Sequence, residues 1–176
     1  MSRTRTLHLH RFQTPLGPCA LRWSASGVAG VLMPGRRELA GAAAPAAVLP
    51  PVEIRRAGEG IASLLGGEQT DLRFVVLDWA SVAAFDRAVY EAAREIPAGA
   101  VSTYGELARA AGSAGAAREV GAALARNPFP IVVPCHRVLS AAGALHGFSA
   151  PGGIDTKRRM LEIEGAPGFE QQPLFA

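Results

Sequence analysis

The first third of the chain alternates apolar and polar positions in short runs that are separated by turns. Residues 7–12 (LHLHRF) alternate, and apolar runs at 19–23 and 28–33 follow turn sequences at 14–18 and 26–27. Alternation with a period of two is typical of strands, and short connections place consecutive strands side by side in antiparallel order. The pattern therefore predicts a three-stranded antiparallel sheet.

A helix and a further strand follow the predicted sheet. After an Ala- and Pro-rich crossing at 34–51, apolar residues at helical spacing predict a helix over 52–65, which a Gly-Gly pair ends. The run 72–77 (LRFVVL) predicts a strand. We therefore expect a small N-terminal α/β domain over residues 1–80.

From residue 82 onward the spacing of apolar residues is that of helices. It predicts a helix over 82–96, and Thr103-x-x-Glu106 forms a capping box at the start of a second, short helix. Ser113 is placed to cap a third helix over 114–126, whose side chains are mostly small. Two short helices joined by a tight turn indicate a helix-turn-helix.

The predicted elements divide the chain into two domains of an α/β (α+β) protein. The first carries the antiparallel sheet with its helix, and the second is a mainly helical domain over residues 81–176. A last helix, capped by Asp155 or Thr156, ends at Glu164 and is followed by a loose tail. The 176 residues are 49% apolar, which is typical of a globular protein with a real core.

Charge and cysteine content narrow the classes of function only slightly. The formal net charge is +3, from 18 basic and 15 acidic residues, and Lys157 is the single lysine. A binding surface for nucleic acid must therefore be made by folding rather than by overall charge.

The two cysteines, Cys19 and Cys135, are far apart and suggest no disulfide framework, so we expect a reducing cytoplasm. No signal core or membrane span is expected. His8 and His10 share a strand face, where polar surface positions are favoured over a metal site.

The most unusual stretch runs over residues 128–139 (PFPIVVPCHRVL). Three prolines stiffen an apolar approach to a Cys-His-Arg sequence. A thiol attacks only as the thiolate, and His136 is the nearest base for Cys135. Neighbouring side chains on an extended backbone point apart, so this pairing needs a bend or a bridging water. Glu162 and Glu164 are candidates to orient the imidazole, and a purely structural cysteine stays open as the alternative.

This stretch resembles a known family. Residues 131–138 (IVVPCHRV) are similar to the signature of the O6-alkylguanine-DNA alkyltransferases, also called methylated-DNA–protein-cysteine methyltransferases. The resemblance covers the C-terminal half almost throughout and the N-terminal half loosely. Its further segments are 14–17 (TPLG), 96–99 (IPAG), 103–108 (TYGELA), 116–121 (AAREVG), 126–128 (RNP) and 157–165.

The resemblance implies single-turnover DNA repair by direct reversal. Cys135 would accept the alkyl group from the O6 atom of guanine in double-stranded DNA and keep it. His136 would act as base through a water, and Glu164 would orient His136. Asn127 would hydrogen-bond the backbone and water around the cysteine turn. Tyr104 would contact the flipped base and its phosphate and donate a proton to the leaving guanine.

The same resemblance implies how DNA and base are held. The guanine leaves the stack to reach a pocket, which Val138, Phe148 and Ser149 would line. Arg118 would fill the vacated place, and the thin third helix would enter the minor groove. The expected DNA-contacting residues are Tyr104, Ala116, Ala117, Arg118, Gly121, Arg126 and Arg137. No cofactor, no metal and no membrane is implied, and we expect a monomer that works in the cytoplasm on nucleoid DNA.

Some positions depart from the family pattern. Glu119 beside Arg118, and Gly115 where a basic residue may occur, weaken the expected binding of phosphates. Phe148 replaces a tyrosine, and residues 149–153 lengthen the pocket loop. Two other functions stay open on the residues alone. One is a sensor that binds alkylated DNA without repairing it, and the other is a cysteine hydrolase that turns over a small electrophile.

Overall fold

Three antiparallel strands form the N-terminal sheet in the computed structural model, which describes residues 6–40 and 48–170. They are β1 (His8–Thr14), β2 (Gly17–Ser24) and β3 (Gly27–Leu32), paired in that order. The register of β2 against β3 shifts between Arg22 and Trp23. The predicted meander is confirmed, because tight turns return each strand alongside the previous one.

Helix α1 (Val52–Leu65) covers one face of this sheet. Its buried side chains fall on one stripe and include Ile54, Ile61 and Leu64. A Cβ atom at Gly58 would lie 3.2 Å from the ring of Phe12, so the absent side chain lets helix and sheet approach closely. Part of the crossing before α1, residues 41–47, lies outside the described residues, as does the tail after residue 170.

The strand predicted over residues 72–77 is wrong. Only one parallel bridge forms, between Val28 and Leu77, and the preceding residues make a turn. The turn is closed by Val75 N–H donating to Leu72 O (3.1 Å), and the Arg94 guanidinium donates to three of its carbonyls. Because these groups are already hydrogen-bonded within the turn and to Arg94, they do not enter a sheet ladder.

The C-terminal half is mainly helical, as predicted. Its elements are α2 (Ala84–Arg94), β4 (Ser102–Thr103), α3 (Tyr104–Ala110), α4 (Ala117–Ala125), β5 (Val138–Leu139) and α5 (Gly153–Ile163). The two short strands β4 and β5 pair in parallel, with Ser102 opposite Val138. The capping box of Thr103 and Glu106 is confirmed, and both of its reciprocal hydrogen bonds are present.

Two helices begin at residues other than those expected. Helix α4 starts at Ala117 rather than at 114, because Gly115 has a φ of +88° and a turn joins Ala116 N–H to Ser113 O. Ser113 therefore contributes a carbonyl to the turn and no side-chain cap. Helix α5 starts two residues before Asp155, so neither Asp155 nor Thr156 is its N-cap.

One hydrophobic core contains residues from both halves of the chain. At its centre, Phe129 is fully buried and meets the rings of Trp79 and Tyr90 edge-on, with centroids 5.6 and 6.4 Å apart. The backbone also crosses the seam, where Val31 N–H donates to Pro128 O at 2.8 Å. The antiparallel sheet and five α-helices of the described residues make the expected α/β class, and the division at residue 80 stays a prediction.

The helices of the described residues are short. None of those within 6–40 and 48–170 combines the length and the apolar character that a bilayer crossing demands.

Candidate active site

Cys135 sits on a turn and not on an extended segment. Residues Cys135–Arg137 form one turn of 3-10 helix, in which Arg137 N–H donates to Pro134 O at 2.9 Å. Just before it, Ile131 has a φ of +76°, which is rare for a β-branched residue. The backbone is therefore bent at Cys135 and His136, where the sequence predicts an extended segment.

A buried carboxylate joins this turn to the last helix. Glu164 Oε1 lies 2.8 Å from His136 Nε2, and both side chains are almost inaccessible to solvent. The Arg137 guanidinium meets the same carboxylate in a forked arrangement, with Nε to Oε2 and Nη2 to Oε1 both at 2.9 Å. Of the two acidic candidates at the end of α5, the structure therefore brings Glu164 to His136, whereas Glu162 lies 3.6 Å from Arg159.

The charges of this cluster determine the tautomer of His136. Burial alone would raise the pKa of Glu164, but hydrogen bonds from His136 and Arg137 and the positive charge of Arg137 lower it to about 2. Burial lowers the pKa of His136, although Glu164 opposes this effect. A neutral imidazole facing an ionised carboxylate carries its proton on Nε2, so Nδ1 is left with a free lone pair. Within the described residues, buried Nδ1 has no hydrogen-bond partner.

The Cys135 thiol is held in the protonated state at rest. Burial raises its pKa, while a hydrogen bond from Asn127 and the positive charge of Lys157 favour the thiolate. Asn127 also fixes the turn itself, because its Nδ2 donates to Val133 O (3.0 Å) and its Oδ1 accepts from Phe129 N–H (2.9 Å). The arrangement therefore needs a base, and once ionised the thiolate is stabilised.

The second thiol has no such surroundings. Cys19 is fully buried in β2, and burial raises its pKa to about 11 despite a weak contact with Thr14. It is a small apolar core residue, as the sequence indicates.

Tyr104 faces the thiol from the first helix of the helix-turn-helix. Burial raises its pKa, and the negative charge that Cys135 carries as thiolate raises it further, so the phenol stays protonated. The pairing of β4 with β5 places Tyr104 directly after the strand residues that lie beside Val138 and Leu139. Gly121 of α4 lies against the tyrosine ring, where a Cβ atom would be 3.7 Å away.

A groove of about 780 Å³ opens beside Tyr104. Helix α4 contributes Ala117, Arg118 and Gly121 to its wall, and the loop after β5 contributes Ser140 and His146. Among the expected DNA contacts, Arg118 is exposed, and Ala116, Ala117 and Gly121 are half-buried. The structure thus brings these small residues and Arg118 to one accessible surface.

Two predicted DNA contacts are engaged elsewhere. Arg126 is exposed but pairs with Asp86, to which its Nη2 donates at 2.8 Å. Arg137 is buried, and besides Glu164 its guanidinium donates to Ile96 O at 2.6 Å. The geometry contradicts a direct phosphate contact by Arg137, because its donors face the protein interior.

The residues expected to line the guanine pocket lie along the chain after the thiol. Val138 is fully buried, Phe148 packs partly against the core, and Ser149 is exposed. The buried Lys157 Nζ donates to Val138 O (2.7 Å) and to His146 O (3.1 Å). The ammonium thereby ties β5 to the loop that carries Phe148 and Ser149.

Sequence reasoning missed the roles of Lys157 and Arg137 at this site. A signal for Lys157 exists, since it shares one face of α5 with Met160, Leu161 and Glu164, at helical spacing. No comparable signal exists for Arg137, whose bond to Glu164 spans 27 positions. In the part of the chain that the structure describes, no three His, Cys, Asp or Glu side chains group as metal ligands would.

The sequence and the fold of this chain are both similar to those of methylated-DNA–protein-cysteine methyltransferases. A family model described as "6-O-methylguanine DNA methyltransferase, DNA binding domain" matches residues 84–166. A methylated-DNA–protein-cysteine methyltransferase of Methanothermobacter thermautotrophicus is 35% identical over 152 residues, which cover 86% of this chain and 81% of that protein. The crystal structure of Mycobacterium tuberculosis O6-methylguanine methyltransferase superimposes with a TM-score of 0.74 at 33% identity, over 93% of this chain and 96% of that one. The M. tuberculosis protein in complex with DNA gives a TM-score of 0.72 at 34% identity, over 92% and 96%.

Proposed function

The chain belongs to the methylated-DNA–protein-cysteine methyltransferase family, an enzyme family of direct-reversal DNA repair, and on that premise we propose that Cys135 is its alkyl acceptor. The substrate is duplex DNA that carries an O6-alkylguanine. The observation that supports this assignment best is the buried Glu164–His136 pair beside Cys135, in which the imidazole keeps Nδ1 free. The other thiol, Cys19, is fully buried in β2 and makes its weak hydrogen-bonding contact with the hydroxyl of Thr14.

His136 removes the proton from the thiol. Its Nδ1 takes the proton through a bridging water, and the imidazolium that forms is stabilised by ionised Glu164 on its other side. Arg137 keeps Glu164 ionised and oriented, so it is a positioning residue of the site. Lys157 and Asn127 stabilise the thiolate, through charge and through a hydrogen bond.

The transfer itself is a displacement at the alkyl carbon. The thiolate Sγ forms a bond to that carbon while the bond from carbon to guanine O6 breaks, and the electron pair stays with the guanine. Tyr104 donates its phenolic proton to the departing base and is reprotonated from solvent afterwards. The raised pKa of Tyr104 keeps that proton in place until it is needed. The thioether is stable, so each molecule acts once.

The groove between α4 and the loop after β5 receives the DNA. Small side chains at Ala116, Ala117 and Gly121 let the helix approach a minor groove, and Arg118 occupies the place of the flipped base. Arg126 contributes positive charge at the edge of this surface although it pairs with Asp86. The guanine enters beside Val138 and is bordered by Phe148 and Ser149.

The oligomeric state and the cellular location of the protein are part of the same proposal. A monomer acting on nucleoid DNA in the cytoplasm fits a search for isolated lesions, since a single groove serves a single damaged base. Size-exclusion chromatography with light scattering, without and with DNA, tests the monomer directly. A stable dimer in either sample contradicts it.

Mass spectrometry tests the reaction and the acceptor together. The protein is incubated with duplex DNA that contains one O6-methylguanine, and we expect one added methyl group per chain, on the peptide that contains Cys135. The Cys135→Ser variant is expected to gain nothing, whereas Cys19→Ser is expected to gain the methyl as the unmodified chain does. Binding of the damaged DNA without a mass gain supports a sensor. Product in excess of protein supports a hydrolase.

A further inference from the structure

A short segment of the proposed guanine pocket is held at both ends by hydrogen bonds from two neighbouring residues of helix α5. We define the pocket segment as residues 147–150, which include Phe148 and Ser149. On one side of it, Lys157 Nζ donates to His146 O at 3.1 Å. On the other side, Thr156 Oγ1 donates to Pro151 O at 2.7 Å. The position of the pocket segment therefore depends on both anchors.

The second anchor also rests on the N-terminal sheet. Gly35 lies in the turn just after β3 and has a φ of +89°. A Cβ atom built on Gly35 would lie only 2.9 Å from Pro151 Cβ, a distance that real Cβ contacts do not show. The Pro151 ring therefore packs directly against Gly35, where there is room for a hydrogen atom alone. The neighbouring Pro34 and Met33 line a crevice of about 280 Å³ between this turn and α5.

Movement of Pro151 passes directly to the pocket. Ala150 is buried in the core, and Gly153 N–H donates to Ala150 O at 3.0 Å, so the end of the segment is held tightly. Only three residues, 147–149, separate Ala150 from the anchored His146. A segment this short has little freedom to absorb a shift at either end. A change at Gly35 is therefore expected to reach Phe148 and Ser149.

We propose that the turn at Gly35 positions the guanine pocket by pressing on Pro151, so that the N-terminal half sets the geometry of alkyl transfer. The inference rests on the proposed function, since the pocket segment matters only if it borders the guanine. Gly35, Pro151 and Thr156 are positioning residues, because they touch neither the substrate nor the thiol. Their effect is on the rate at which bound DNA reacts.

The first test replaces Gly35 by alanine. Gly35→Ala adds one methyl group that must displace Pro151, and a misplacement near 1 Å can slow a reaction by about a hundredfold. We expect the single-turnover rate of methyl transfer at saturating DNA to fall at least about tenfold. The matched control is Gly67→Ala, where φ is +94° but the nearest atom is 3.8 Å away, so backbone strain is equal and the contact is absent. The control is expected to react like the unmodified protein.

A double-mutant cycle separates the contact from general destabilisation. Pro151→Gly removes the ring atoms that a side chain at Gly35 would strike. If the contact carries the effect, Gly35→Ala in the Pro151→Gly background lowers the rate no further. If the fold losses in transfer rate of the two single variants multiply in the double variant, the proposal is contradicted. Affinity for undamaged duplex DNA is expected to stay within about twofold throughout, because the α4 surface is untouched.

A second variant keeps the test decisive if Gly35→Ala does not fold. Thr156→Val removes the hydrogen bond to Pro151 O with little change in shape, and we expect a loss of rate at saturating DNA of the same kind. An unchanged rate in Thr156→Val overturns the proposal, and so does an unchanged rate in Gly35→Ala where that variant folds. Failure of the unmodified protein to gain a methyl group at all contradicts the proposed function instead, so the two failures are distinguishable.

Discussion

The buried carboxylate of Glu164 makes a prediction about stability that follows from its geometry. Its side chain is 2% exposed and accepts hydrogen bonds from both His136 and Arg137. The lowering of its pKa from an ordinary 4.5 to about 2 corresponds to about 3 kcal/mol, at about 1.4 kcal/mol per pH unit. The variant Glu164→Gln keeps the shape, removes the charge and leaves the Arg137 guanidinium buried without a carboxylate. We therefore expect it to lower the free energy of unfolding at pH 7 by about 3 kcal/mol.

The pH dependence of stability distinguishes the contribution of Glu164 from that of its partner His136. A carboxyl group whose folded pKa is lowered stabilises the protein fully above its unfolded pKa, and the stabilisation is lost as the pH falls through the folded value. For Glu164 that loss lies between about pH 4.5 and 2. The lowered pKa of His136 also costs stability as the pH falls, but its loss begins below about 6.5, where the unfolded imidazole takes up a proton.

Urea unfolding from pH 7 to pH 3 measures both effects. We expect the unmodified chain to lose stability steeply below pH 4.5 and the Glu164→Gln variant to lose less there. Glu162→Gln is the matched control, since Glu162 lies in the last turn of α5 and its ion pair with Arg159 is 3.6 Å long and partly exposed. Such a pair contributes at most about 1 kcal/mol. Parallel stability curves for Glu164→Gln and the unmodified chain below pH 4.5 refute the reasoning.

Three further changes test the site. His136→Phe is expected to slow methyl transfer at pH 7 by about a hundredfold or more, with a rate that rises with pH because the thiol must ionise unaided; an unchanged rate contradicts the role of His136 as base. Asn127→Ala removes two hydrogen bonds of the cysteine turn and is expected to cost about 2 kcal/mol in urea unfolding, so a loss below experimental error disagrees with the geometry. Arg118→Ala is expected to slow repair of duplex DNA about tenfold while sparing a single-stranded substrate, which has no stack to fill. Equal losses on both substrates argue against that role.

The sequence predicted what depends on neighbouring residues. The capping box at Thr103 and Glu106, the strand alternation over 7–12 and the end of α1 at Gly66 all rest on contacts within one element, and all are present. The prediction for 72–77 was wrong because β-branched residues favour a strand but do not exclude a turn. The conformation is decided by the Arg94 guanidinium, which comes from helix α2.

At the site, the sequence and the family resemblance indicated the reacting groups together with Glu164 and Asn127, but not the roles of Arg137 and Lys157. Cys135 and His136 are adjacent and their chemistry is local, whereas the buried position of Arg137 against Glu164 follows from how α5 packs. The resemblance implies a place for Arg137 on the DNA surface, but a guanidinium suits a phosphate and a carboxylate equally well. Only the fold distinguishes the two.

The seam between the two halves limits how this protein can be divided or recombined. Trp79 packs on Phe129, and the Arg94 guanidinium donates hydrogen bonds to the 72–75 turn. Val31 N–H donates to Pro128 O at the start of the segment that leads to Cys135. A fragment that begins at residue 81 exposes apolar rings and leaves the half-buried guanidinium of Arg94 without its carbonyls. A chimera with the N-terminal half of a relative must carry both sides of each contact, and so the two halves are inherited as a matched pair.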